Sequence, residues 1–230
     1  MSQHHPSTLR LALAAITTLA ACNNDSVTPP VATSMAVLNG NAITGVVGTA
    51  LSSPIVVQVM DQNGNAMANT PVTFVPTATS GVVSTAVVLT DANGTASVTW
   101  TLGTAAGIDT LTIGANGIAS TDVTASATPD APANLVVVSG AGQAATVGST
   151  LSIPLAVQAT DRYGNPTPNV TVQWADDANG TFAASTEVTN QSGIAQNTYT
   201  LGPTPGTEDI DVTVPVASGV ITAAFTEMGS

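Results

Sequence analysis

Lysine is absent from this 230-residue chain, and Arg10 and Arg162 are its only arginines. Phosphate backbones are gripped through clustered Lys and Arg, so the scarcity speaks against a nucleic-acid partner, and against an anionic membrane surface for the same reason. Fourteen carboxylates leave a net charge of -12. Histidine occurs only at His4 and His5, and cysteine only at Cys22. Charged residues make up 7% of the chain, where a globular protein has roughly 25%. What fills the space is Thr, Val, Ala, Gly and Asn, a mixture that favours strands and turns over helices.

No apolar run reaches the ~20 residues that a membrane-crossing helix needs. The run LALAAITTLAA at 11–21, preceded by Arg10, has instead the length of a signal-peptide core. It ends in Leu19, Ala20, Ala21 and Cys22, which resembles the lipobox of bacterial lipoproteins. The resemblance implies cleavage between Ala21 and Cys22, lipidation of the Cys22 thiol and, with Asn23 rather than Asp next in line, the outer membrane. Acyl chains bind at about 0.8 kcal/mol per buried methylene, so two or more make a stable anchor. The alternative is an ordinary signal peptide cut nearby, with Cys22 left as a free thiol. Either cut discards both histidines and Arg10.

Residues 22–33 then form a lipidated cysteine and a polar tether carrying Pro29 and Pro30. Beyond it the chain repeats itself. VGTALSSPIVVQVMDQNGN at 47–65 aligns with VGSTLSIPLAVQATDRYGN at 147–165 at a shift of 100, with 10 of 19 positions identical. TASVTWTLG at 95–103 aligns with IAQNTYTLG at 194–202 at a shift of 99. The repeat is thus as long as a whole small domain. Alternation inside it is that of half-buried strands: Ile55, Val57 and Val59 share one face, as do Leu155, Val157 and Ala159, with Gln58 and Gln158 opposite. Val72 and Phe74, Val172 and Trp174, and Ala96, Val98, Trp100 and Leu102 continue the buried face, with a turn at Asp61–Asn65 and another at 91–94.

Pro54, the VQVMDQNGN run, NTPVTF and DANGTASVTWTLGTAAG resemble the bacterial Ig-like group 1 domain of the intimin and invasin family. The resemblance implies an all-β fold of two tandem immunoglobulin-like antiparallel sandwiches, residues 34–128 and 133–228, without an inter-sheet disulfide. The linker, Thr128 to Pro132, is short and contains proline, which predicts a semi-rigid connection. The second copy departs from the pattern: Asn197 stands in place of Val98, Tyr199 in place of Trp100, and NQSG in place of DANG. A polar residue on a buried face needs a partner, so this strand tests the register.

After export the chain keeps no histidine, no lysine and a single arginine, Arg162. Histidine triads and His/Cys zinc sites are thereby removed, and the sequence is read as no enzyme, with no catalytic residues, metal or cofactor. Paired carboxylates remain as the one catalytic alternative. Asp176, Asp177, Glu208, Asp209 and Asp211 are read as solubilising charges at loops and strand edges. Asp61-Gln-Asn-Gly-Asn65 and Asp161-Arg-Tyr-Gly-Asn165 look superficially like calcium loops but lack the later ligands, and turn chemistry alone accounts for them. The same turn reading applies to Asp91 and Asp130, with calcium stiffening of the linker left to a melting test with calcium and with chelator. Trp100, Trp174, Phe74 and Tyr199 fall on core faces. Arg162 beside Tyr163 in a turn is the candidate ligand contact.

The expectation is a lipid-anchored cell-envelope protein, structural or adhesive, displaying its repeats from the outer membrane. Its partners are the membrane, through the anchor, and an extracellular protein or glycan. The alternative is a glycan- or protein-binding module that uses the loops of the second repeat.

Overall fold

A computed structural model describes residue 1, residues 28–40 and residues 42–230. Ala21, Cys22 and the rest of the export segment lie outside the described residues. From Val31 to Ser230 the chain forms one unit, and every regular element in it is a strand.

The first copy of the repeat contains β1 (Ala32–Val37), β2 (Ile43–Val46), β3 (Ile55–Asp61), β4 (Pro71–Pro76), β5 (Val82–Val83), β6 (Val87–Leu89), β7 (Thr95–Val98), β8 (Trp100–Thr101), β9 (Gly107–Ala115) and β10 (Ile118–Thr128). The second contains β11 (Pro132–Ser139), β12 (Ala144–Ala145), β13 (Leu155–Asp161), β14 (Thr171–Asp176), β15 (Thr181–Phe182), β16 (Thr186–Val188), β17 (Ile194–Asn197), β18 (Tyr199–Thr200), β19 (Gly206–Val216) and β20 (Gly219–Gly229). The pairing order is the same in both: a three-stranded sheet, β1-β3-β7 or β11-β13-β17, and a five-stranded sheet, β2-β10-β9-β4-β6 or β12-β20-β19-β14-β16. β2 joins β10, and β12 joins β20, in parallel, whereas the other ladders are antiparallel.

Period-two alternation decides what each sheet buries. Ile55, Val57 and Val59 from one sheet meet Val72, Phe74, Leu111 and Ile113 from the other in a single cluster, all between 0% and 1% exposed. Leu155, Val157, Ala159, Trp174, Ile210, Val212 and Phe225 build the matching cluster in the second copy. Each such aliphatic side chain contributes roughly 1.5–3 kcal/mol on leaving water, so these faces dominate the stability. Tyr199 and Trp100, at equivalent positions, are both sealed in the core. Trp100 donates its indole N–H to the Ser80 carbonyl at 2.7 Å.

Asn197 keeps the register. Leu155 faces Asn197 across the ladder as Ile55 faces Val98, and the Asn197 amide, 3% exposed, donates to the Ala184 carbonyl at 2.6 Å. That bond satisfies the amide nitrogen, while the amide oxygen is buried without a partner among the described residues and keeps its desolvation cost.

The ladders also reach beyond the expected limits of the repeats. β1 begins at Ala32, two residues before 34, and β20 runs to Gly229, after which the Ser230 N–H donates to the Ala145 carbonyl at 3.0 Å. Between β10 and β11 only residues 129–131 are outside a strand.

Candidate functional site

Aspartates open the turns at 61–65, 91–95 and 161–165. Asp61 Oδ1 accepts the N–H groups of Asn63 and Asn65, both at 2.8 Å, and Asp91 does the same for Asn93 and Thr95. Asn190 repeats the arrangement with Ser192 and Ile194, because its side-chain oxygen supplies the same acceptor as Asp. Backbone N–H groups, led by that of Asn65, hold the Asp61 carboxyl below the usual carboxylate range, and Thr95 leads the same effect at Asp91.

Asp161 does more than its counterpart. It is fully buried, and Oδ1 accepts the N–H groups of Tyr163 and Asn165 at 2.8 and 2.9 Å. Oδ2 accepts the Asn165 amide at 2.8 Å and the Asp130 N–H, from the connecting segment, at 3.0 Å. Burial works against ionisation here, but the Asn165 side chain and the backbone donors outweigh it and hold the carboxyl low. Asn165 in turn reaches the first copy: its amide donates to the Thr104 carbonyl at 2.9 Å, and its oxygen accepts the Ala106 N–H at 2.8 Å.

The predicted contact pair lies on this same junction. Arg162 forms an ion pair with Asp130 at 3.0 Å and stacks over the Tyr163 ring at 4.8 Å from its centroid. Tyr163 leans on Gly48 of the first copy, where an added Cβ would sit 2.5 Å from the phenol oxygen. The Asp130 carboxylate, considered above for calcium, thus already holds a guanidinium. Among the described residues no three His, Cys, Asp or Glu side chains converge as a metal site would require.

The acidic residues divide differently from the sequence expectation. Asp177, Asp209 and Asp211 are exposed, but Glu208 is 1% exposed and inside the core. Its carboxylate accepts the Tyr199 hydroxyl at 2.7 Å and the Gly202 N–H at 2.9 Å, while the same hydroxyl lies 2.9 Å from Asp176. Burial first, then Glu208 and Asp176, push the Tyr199 phenol far above its ordinary range. Asp109 braces Gly103 in the first copy as Glu208 braces Gly202 in the second. Both are buried acceptors of backbone N–H groups. Glu227, directly opposite Glu208 in the ladder, is equally buried. One of its oxygens accepts the Gln143 N–H and the other has no partner, and burial raises its carboxyl. A signal for both was present in the sequence: Glu208 alternates in phase with Ile210 and Val212, and Glu227 with Phe225.

One further hollow was not foreseen. A cleft of about 420 Å³ opens in the first copy between the chain around Leu38–Gly40, the start of β2 and the segment Ser52–Pro54.

No family model matches the chain, and no curated protein matches it. Solved structures do. The chain is similar to InvD of Yersinia pseudotuberculosis at 20% identity, over 87% of this chain and 57% of that one, with a TM-score of 0.52. It is similar to FdeC, an Escherichia coli adhesin, at 18% identity over 85% of this chain and 64% of that one, TM-score 0.49. With the Yersinia pseudotuberculosis adhesin InvE the values are 20%, 87% and 58%, TM-score 0.39. The chain therefore spans less than two thirds of each of these proteins. The likeness to InvD, with the paired sheets described above, establishes an all-β fold of the immunoglobulin-like kind.

Proposed function

We propose that the chain is a lipoprotein of the cell envelope, anchored through Cys22, that displays two tandem immunoglobulin-like sandwiches of the intimin and invasin type as a structural or adhesive stalk. The sandwiches correspond to residues 34–128 and 133–228, on a tether at 22–33. The observation that carries the reading is the junction. Asp161 and Asn165 tie the turn of the second copy to the connecting segment and to the 104–106 loop of the first, which is what a stalk needs in order to stand rather than fold back on itself. The solved relatives FdeC and InvE, described as adhesins, are consistent with that use. With no histidine, lysine or cysteine in residues 23–230, the stalk works by display and not by turnover.

Protease shaving of intact cells tests it, with Cys22→Ala as the control. Surface anchoring predicts that both repeats are cut on whole cells and that the variant is released; complete protection of the wild-type repeats overturns surface display.

A second reading rests on exposure. The Arg162 side chain remains 57% exposed and Tyr163 41%, so the pair remains accessible to a glycan or protein ligand. Arg162→Ala and Tyr163→Ala would then abolish binding on a glycan and matrix-protein array, and an array on which the wild-type chain binds nothing removes this reading.

A further inference from the structure

The two copies differ at one corner. In the second copy Gln143, just before β12, folds its carboxamide onto the segment that leads into β13. Its oxygen accepts the Ile153 N–H at 2.9 Å, and its nitrogen donates to the Ile153 carbonyl at 2.8 Å and to the Gly140 carbonyl at 2.7 Å. A single amide thus engages both backbone groups of one residue.

Ile43 occupies the equivalent position in the first copy. The ladders establish the equivalence: Thr44 faces Ser126 across the parallel pair as Ala144 faces Met228, one residue after Ile43 and Gln143 respectively. Ile43 faces Ala125, whose small side chain leaves room, and it packs against the hydrophobic cluster. Gln143 stands beside the larger Glu227 and turns outward. The counterpart of Ile153 is Ser53, which is exposed and lines the 420 Å³ cleft. Its backbone N–H and carbonyl have no hydrogen-bond partner among the described residues. Beside them the cleft is lined by exposed Leu38, the ring of Pro54 and Asn39, whose carboxamide donates to the Pro54 carbonyl and accepts the Val56 N–H.

We infer that this cleft binds the side-chain carboxamide of a glutamine on a protein partner, in the pose that Gln143 adopts within the second copy. The chemistry is selective. A single ligand amide that engages both the N–H and the C=O of one residue must carry its acceptor and its donor on the same side. A primary carboxamide has an N–H cis to its oxygen. A trans secondary amide, such as a peptide bond or the acetamido group of an amino sugar, presents the two on opposite sides, and a carboxylate has no donor. The two methylenes of glutamine fit against Leu38 and Pro54. Two or three hydrogen bonds in an open cleft predict a Kd on the order of millimolar, so that affinity in use would come from several such contacts. This inference is independent of the anchor and of surface display.

The test uses the full chain with Cys22→Ala in detergent, labelled with nitrogen-15. The probes are acetyl-Ala-Gln-Ala-N-methylamide, its Glu counterpart and N-acetylglucosamine. The glutamine peptide should shift the Ser53 amide resonance saturably, and the other two should not. Ile43→Gln, which supplies the plug from within, should weaken binding at least tenfold while leaving the remaining spectrum dispersed. Gln143→Leu should open a second site and make the Ile153 amide respond. No response at Ser53, an equal response to the Glu peptide, or undiminished binding by Ile43→Gln would each overturn the inference. If Gln143→Leu fails to fold, the Ile43→Gln comparison decides.

Discussion

Gly48 and Gly148 are a matched pair at the residue scale, because they share the left-handed backbone, with φ of +67° and +74°, and differ in what lies beside them. A Cβ on Gly48 meets the Tyr163 hydroxyl, whereas a Cβ on Gly148 meets nothing within 4 Å. Both alanine substitutions should therefore cost about 1 kcal/mol from backbone strain. Gly48→Ala should cost more, by about 0.5–1 kcal/mol for the displaced Tyr163 and its stacked Arg162. Chemical denaturation measures the difference, and in the Tyr163→Ala background it should vanish. The Tyr199 hydroxyl offers a second residue-level test. It reaches Glu208 and Asp176 from inside the core, so Tyr199→Phe removes a donor that buried carboxylate oxygens depend on. A loss of about 1–3 kcal/mol is expected in denaturant melts.

Elements carry their own prediction where β20 meets β12. Glu227 sits on β20 in phase with the core residue Phe225, and burial raises its carboxyl above the ordinary 4.5. A raised folded-state pKa means that the folded chain holds the proton more tightly than the unfolded chain does. The resulting stabilisation is complete below about pH 4.5 and is lost as pH rises through the folded value. Glu227→Gln keeps the shape and the acceptor for Gln143 without the charge. It should melt higher than wild type at pH 7, and the gap should close as pH falls towards 4, read by circular dichroism across a pH series. The strands themselves were largely legible in advance. Ile55, Val57, Val59, Ala96, Val98 and Trp100 lie inward as alternation required, since a pleated strand leaves no other choice once one face is buried. The same rule places Glu208 and Glu227 inside, against the general expectation that acids lie at the surface, by which Glu208 is read as a solubilising charge. Asn197 shows the converse: the polar side chain held its core position because a backbone carbonyl from the neighbouring segment was within reach, a partner that spacing within one strand does not reveal.

On the scale of the whole molecule, the proposed stalk depends on Asn165 more than on the ion pair beside it. Asn165 makes both hydrogen bonds across to the 104–106 loop, while Arg162 and Asp130 pair at a half-exposed site where screening leaves about 0–1 kcal/mol. Asn165→Ala should broaden the distance distribution between spin labels placed one in each copy, and should also lower the melting of the second copy, because it removes the amide that bonds the buried Asp161 carboxylate. Arg162→Ala should alter the distribution far less. What the sequence determined by itself is everything that local chemistry and a period of two control: the all-β class, the repeated strand faces, and the turns that Asp61, Asp91 and Asp161 open by bonding backbone N–H groups a few residues ahead. What the tertiary structure alone decided are the contacts between segments distant in the chain. These are the docking of Tyr163 on Gly48, the reach of Asn165 to Thr104, and the seating of the Gln143 carboxamide on Ile153, which Ile43 does not repeat at Ser53. The physical reason is that such contacts are set by ladder register and by the volume of cross-strand neighbours. Ala125 beside Ile43 and Glu227 beside Gln143 become neighbours only when the sheets have formed.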